Sequence, residues 1–362
     1  MYRLNDRRIG KGKKIRMRSM RVRKKGALGL ALALMFMLTA CAGGGSAPTT
    51  QGSGAQGAEA PKELREITFV LEWTPNTNHT GVYVAQQEGY FEAEGLKVNI
   101  IQPGTGGADA MIASGAAQFG VSVQESITLA RTQNVPIVSL AAIIQHNTSG
   151  FAAPQDKHIT SPKDFEGKTY GGWGSPVEEM VLRTLMEQEG ADYGKIKNIN
   201  MGSADFFTAV KKDIDFAWIF YGWTGIEAEL RNEPIDMMYV NQYSDALDYY
   251  TPVIATSEKL IESDPELVKA FMRAVSRGYQ FAIDNPEQAA GIMLKQVPDL
   301  DKELVMASQR WLSPKYRDDA PRWGEQKREV WDNYTNWLLQ NKLMEKPIDI
   351  DKAFTNEFLP EA

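Results

Sequence analysis

Three stretches of the sequence set aromatic rings beside hydrogen-bonding groups without supplying an obvious nucleophile. The first is Leu71-Glu72-Trp73-Thr74-Pro75-Asn76-Thr77-Asn78-His79-Thr80-Gly81. Pro75 fixes one backbone angle, Trp73 offers a flat apolar face, and Asn76, Asn78 and His79 offer donors and acceptors. Asn76, Thr77 and Asn78 would serve equally well as caps of the helix that follows. The second stretch is Gly171-Gly172-Trp173-Gly174-Ser175-Pro176, and the third is Trp218-Ile219-Phe220-Tyr221-Gly222-Trp223. Glycines around Trp173 let the backbone come close to a ligand, and Trp173, Tyr221 and Trp223 can stack on a flat ring. Each of these rings also suits a core position, and Trp218 and Phe220 continue a strand. Glu125 follows another apolar run, where its carboxylate either accepts from an amino-substituted ring or simply suits the positive end of a helix. Collected at strand ends, these residues describe a cleft for a small, flat, polar molecule.

Other chemistries find little support. His79, His146 and His158 are far apart and the only thiol is Cys41, so no zinc-ligand spacing is present and no metal is expected. Gly104-Thr105-Gly106-Gly107 lacks the Lys of a phosphate-binding loop and the spacing of a dinucleotide fingerprint, and reads as a tight turn. Gly174-Ser175-Pro176 is no nucleophile elbow, because Pro176 has no amide to offer an oxyanion.

The elements that must hold these stretches alternate in kind. Short β runs at Ile67–Leu71, Val98–Ile101, Phe119–Val123, Pro136–Ile144 and Phe151–Pro154 are interleaved with helical patterns at Val82–Phe91, Ala108–Ala113 and Glu125–Arg131. The alternation restarts after Ser161-Pro162 and runs to Val240, and from Leu260 onward the apolar spacing is helical, with Leu260–Ile283 reading as one helix. Strands separated by helices imply parallel βαβ units. The expected fold class is α/β: two lobes, each a mainly parallel sheet flanked by helices, with extra helices at the C-terminus. The first lobe is expected over 62–155 and 250–362, and the second over 156–249.

Residues 1–40 carry twelve Lys or Arg against one acid, Asp6, so the net charge of −6 for the whole chain becomes −17 over residues 41–362. So acidic a body is a poor nucleic-acid binder. The basic segment precedes an apolar run from Gly26 to Ala40, too short to span a membrane and suited to a signal peptide. Met17 and Met20 are alternative starts. Leu38-Thr39-Ala40-Cys41 then resembles a bacterial lipobox, with Cys41 the lipidated residue, and 41–61 reads as a flexible tether rich in Gly, Ala, Ser and Thr. With a single cysteine the body cannot form an internal disulfide.

Trp73-Thr74-Pro75-Asn76-Thr77-Asn78-His79-Thr80-Gly81, with Gly89-Tyr90-Phe91, Glu94-Gly95-Leu96 and the loops at Trp173 and Trp218, resembles the thiamine-precursor-binding branch of the type II periplasmic-binding-protein superfamily. That resemblance implies a monomeric, lipid-anchored receptor of an ABC importer, facing outward and touching the membrane only through its anchor. It also implies a permease partner and a pyrimidine ligand such as N-formyl-4-amino-5-aminomethyl-2-methylpyrimidine. Carried over residue by residue, it assigns Trp73, Asn76, Asn78, His79, Trp173, Tyr221 and Trp223 to the ligand, while Glu125 enters from its strand-end placement alone. No cofactor is implied for a receptor. Related pyrimidine synthases work with a histidine and pyridoxal phosphate and carry a cysteine-rich motif, which this chain lacks. A synthase using His79, and a receptor of the same fold for riboflavin, sulfonate or nitrate, are the alternatives.

Overall fold

The computed structural model describes residues 63–361 apart from 105 and 203; the signal segment, the tether and Cys41 lie outside the described residues. Its strands are β1 Arg65–Val70, β2 Leu96–Ile101, β3 Phe119–Ser122, β4 Ile137–Ala142, β5 Ser149–Pro154, β6 Thr169–Gly172, β7 Lys197–Asn200, β8 Phe216–Phe220, β9 Ile235–Tyr239 and β10 Val253–Ser257. They form two five-stranded sheets, ordered β2-β1-β3-β10-β4 and β7-β6-β8-β5-β9. In the first sheet only β10 runs against its neighbours, and in the second only β5 does. Each is the strand the chain makes on arriving from the other lobe, so both sheets are mainly parallel with one reversed strand at the point of entry.

Three features depart from the expected boundaries. The run at Phe151–Pro154, expected in the first lobe, belongs to β5, which pairs with β8 and β9 in the second sheet. The crossover therefore lies between β4 and β5. The expected helix Leu260–Ile283 is two helices, Glu258–Ser263 and Pro265–Asp284. Pro265 has no amide to continue the first, and the Asp264 side chain caps the second by accepting from the Leu267 amide at 3.1 Å.

Each lobe has its own core. Phe271, on Pro265–Asp284, stacks on Phe69 of β1, Phe91 and Phe119 of β3, the last at 3.9 Å between ring centroids. In the second lobe Phe151 of β5 meets Phe165, Tyr170, Phe216 and Trp218. The helices Thr80–Gln87 and Pro265–Asp284 come together on glycine: a Cβ on Gly81 would lie 2.3 Å from the Tyr279 ring, and one on Gly278 would lie 2.0 Å from the Gly81 carbonyl oxygen. The helix Arg328–Gln340 was expected wholly in the first lobe. Trp331 does pack there, beside Phe354, Ile350 and Ala353. Tyr334, Trp337 and Leu338, however, lie in the core of the second lobe, because successive turns of this helix present large apolar side chains in both directions.

Candidate functional site

The first loop leaves β1 at the buried Leu71 and turns through Thr77–His79 into the helix Thr80–Gln87. Asn76 caps that turn: its side-chain oxygen accepts from the Asn78 amide at 2.9 Å, and its side-chain nitrogen donates to the Thr74 carbonyl at 3.0 Å. Its own backbone N–H donates to His79 Nδ1 at 3.1 Å. Nδ1 is thus an acceptor, so the ring proton sits on Nε2, which donates to Glu72 Oε2 at 2.7 Å. With His79 fully buried and both nitrogens engaged, the histidine fastens the loop. The C-terminal helices hold the same loop from behind: Tyr279 donates to the Asn78 carbonyl at 2.7 Å, and Tyr316 donates to that of Thr77. Trp73 is left 47 % exposed, Thr74 is exposed beside it, and Asn78 is partly buried, its side-chain amide without a protein partner among the described residues.

The second loop follows β6. Ser175-Pro176-Val177-Glu178 forms a capping box at the start of the helix Pro176–Gln188. The buried Glu178 carboxylate accepts from the amides of Trp173, Gly174 and Ser175 at 3.0 to 3.2 Å, and from the Tyr170 hydroxyl. Gly174 has φ of +87°, a backbone conformation natural to glycine. The loop is thereby locked, with the Trp173 indole 41 % exposed and edge-on to Trp218 at 5.6 Å. Trp218 Nε1 is buried without a protein partner among the described residues.

Glu125 begins the helix Gln124–Thr132, whose buried Gln124 side chain accepts from the Tyr250 amide and ties the helix to the second crossover. The Glu125 carboxylate accepts from Tyr249 Oη at 2.9 Å. Burial pushes its carboxyl up to about 7; the Tyr249 hydrogen bond opposes this, and the nearby Glu178 charge adds to it. The Tyr249 hydrogen bond thus sets Glu125, on a helix of the first lobe, against the core of the second lobe, to which the helix bearing Glu178 also belongs.

Tyr221 and Trp223 lie on a wide helical turn after β8, at the seam between lobes. The Tyr221 ring lies against Tyr239 and Trp311, and its hydroxyl donates to Glu229. Trp223 packs on the cluster around Tyr83, Met293 and Val305. Between them Gly222 is pressed against Leu312, and its carbonyl accepts from Ser308, whose hydroxyl also bonds Thr77 of the first loop. One serine on the helix Lys302–Leu312 thus joins the first loop to the third stretch.

The structure therefore sets Glu125 at the lobe seam through Tyr249, leaves the Trp73 and Trp173 rings exposed, spends the polar atoms of Asn76 and His79 on the loop itself, and sets Tyr221 and Trp223 in the lobe seam. Sequence reasoning missed Glu178; its signal was the Ser-x-x-Glu spacing, which marks a helix start before it marks a site. Among the described residues no group of three or more His, Cys, Asp or Glu could hold a metal ion, and no helix is long and apolar enough to cross a membrane.

Two mixed α/β lobes joined by two crossovers, with aromatic and polar groups gathered at strand ends, define a protein of the periplasmic-binding-protein fold. Consistent with this, the chain superposes on the alkanesulfonate-binding protein SsuA from Xanthomonas axonopodis pv. citri with a TM-score of 0.63 at 11 % identity, covering 81 % of this chain and 99 % of that one. The chain belongs to the NMT1/THI5-like family, whose model matches residues 76–289. It is 31 % identical to the formylaminopyrimidine-binding protein of Halalkalibacterium halodurans, over 83 % of this chain and 92 % of that one. It is 26 % identical to the riboflavin-binding protein RibY of Chloroflexus aurantiacus, over 92 % and 97 %. It is 24 % identical to the 4-amino-5-hydroxymethyl-2-methylpyrimidine phosphate synthase of Legionella pneumophila, over 82 % and 92 %.

Proposed function

We propose that this chain is the substrate-binding lipoprotein of an ABC importer, anchored outside the cell membrane through Cys41. It would capture a thiamine-related aminopyrimidine, such as N-formyl-4-amino-5-aminomethyl-2-methylpyrimidine, between its lobes and deliver it to a permease. The observation that carries the reading is the half-exposed Trp173 on a loop locked by Glu178, with a second acid, Glu125, held at the lobe seam by Tyr249. An indole face stacks on a flat ring while carboxyl groups meet its N–H edges. Similarity to a formylaminopyrimidine-binding protein points the same way. Trp73, Asn78, Glu125, Trp173 and Glu178 would meet the ligand, with Asn76 and His79 holding the first loop and Tyr221 and Trp223 sealing the lobes. Contacts available only in the closed arrangement would select closure.

We read the chain as a carrier and not a catalyst. Pyridoxal phosphate does not fit these residues. Both His79 nitrogens are engaged, and the stretches at the strand ends contain no Lys or Arg to meet a phosphate. The same lack of cations disfavours sulfonate and nitrate. Riboflavin remains the second ligand to be tried, favoured by the RibY similarity and the aromatic walls. Thermal-shift and calorimetric titration of the purified protein with the formylated aminopyrimidine, thiamine, riboflavin, taurine and nitrate test the reading. Stabilisation and micromolar or tighter binding by the pyrimidine is the expected result; preference for another ligand, or pyridoxal absorbance with turnover, would overturn it.

A further inference from the structure

This inference rests on the pyrimidine reading and concerns a proton. Glu125 and Glu178 stand on opposite lobes without an ion-pair partner among the described residues, yet their settings differ. Glu178 is surrounded by donors, the Tyr170 hydroxyl and the amides of residues 173–175. These favour a carboxylate, but burial outweighs them and pushes the Glu178 carboxyl up as well. Glu125 has one donor, Tyr249, which leaves its second oxygen free. The Glu178 charge adds to the effect of burial on Glu125, and the ring of its donor Tyr249 packs at 4.6 Å on Tyr334 of the helix Arg328–Gln340, whose fully buried hydroxyl has no protein partner among the described residues.

An aminopyrimidine presents an amino N–H donor next to a ring-nitrogen acceptor. An ionised carboxylate offers two acceptors and so sets an oxygen lone pair against the ring nitrogen. A neutral carboxylic acid offers a donor beside an acceptor and matches the edge with two hydrogen bonds. We propose that Glu125 and the bound aminopyrimidine hold one shared proton, so that the cleft recognises a ring nitrogen with an adjacent amino group and takes up a proton from solvent whenever Glu125 is ionised beforehand. Burial, which pushes this carboxyl up to about 7, makes the proton available near neutrality.

The test is calorimetry of the full protein with N-formyl-4-amino-5-aminomethyl-2-methylpyrimidine at about pH 6 to 9, in pairs of buffers of different ionisation heat. Kd is expected to rise about tenfold per pH unit above about pH 8, with uptake approaching one proton per ligand there. In Glu125→Gln the side-chain amide keeps a donor beside an acceptor but cannot titrate, so the slope and the proton uptake should both vanish. A wild-type Kd constant over this range without proton exchange, or a Gln variant that keeps the slope, would overturn the proposal. Pyrimidine binding without a slope removes this inference alone, whereas absence of pyrimidine binding at every pH removes the proposed function with it.

Discussion

In the site we propose, Trp173 matters most, because its backbone is immobilised while its ring stays exposed. The Trp173, Gly174 and Ser175 amides are committed to Glu178, so truncating the indole should remove a stacking face without loosening the loop. Trp173→Ala should weaken pyrimidine binding at least about tenfold, about 1.4 kcal/mol, with the melting temperature little changed. Unchanged affinity by calorimetry would take Trp173 out of the site. Asn76→Ala should do the reverse. It removes a cap that accepts from the Asn78 amide and should lower stability by about 1 kcal/mol, read by urea denaturation, with a smaller effect on affinity. At this scale the sequence was informative about residue types and silent about partners. Trp173 stood out because glycines flank it, but nothing nearby revealed that His79 would spend one nitrogen on Glu72 and the other on the Asn76 backbone.

Among the elements, the pair Thr80–Gln87 and Pro265–Asp284 carries the first loop, and its approach depends on two glycines. Gly81→Ala would put a methyl into the Tyr279 ring, displacing the residue that holds the Asn78 carbonyl. Overpacking of this kind typically costs about 1–3 kcal/mol, and the melting temperature should fall accordingly. Ser308→Ala would leave the Gly222 carbonyl without its donor at the lobe seam. The expected cost is about 1–3 kcal/mol, with weaker ligand binding if the bridge also sets closure. A variant as stable and as tight-binding as the wild type would show the bridge to be incidental. The alternation of strands and helices was legible because apolar periodicity records burial. Which sheet receives β5 was not, since a short apolar run reads the same in either lobe and its partners, β8 and β9, lie far along the chain. The break at Asp264-Pro265 was written in the sequence, but continuous amphipathic spacing on either side masked it.

At the scale of the whole molecule, the two crossovers are tied to each other. His146 Nδ1 bonds Asp248 Oδ2 at 2.6 Å, and the Asp248 Oδ1 accepts from the Asn147 amide at 2.8 Å. The Asp248 hydrogen bond, aided by the Asp319 and Asp318 charges, lifts the His146 ring to about 9. The folded value lies above the unfolded one, so this contribution is fully present below about pH 6.5 and is lost as pH rises through about 9. His146→Gln should therefore lower the melting temperature at pH 6 to 7, by a modest amount because the ring is partly exposed, and the gap should close near about pH 10. A gap independent of pH would show that the imidazolium is not what joins the crossovers. A third connection acts beside these two. Arg328–Gln340, a rod of about 20 Å, has Trp331 set in one lobe and Trp337 in the other. Any opening of the lobes must shear this packed helix, so the closed arrangement that the proposed ligand contacts select has a packed connection already in its favour. In the importer we propose, the difficulty passes to release, where a docked permease must strain that splint to empty the cleft.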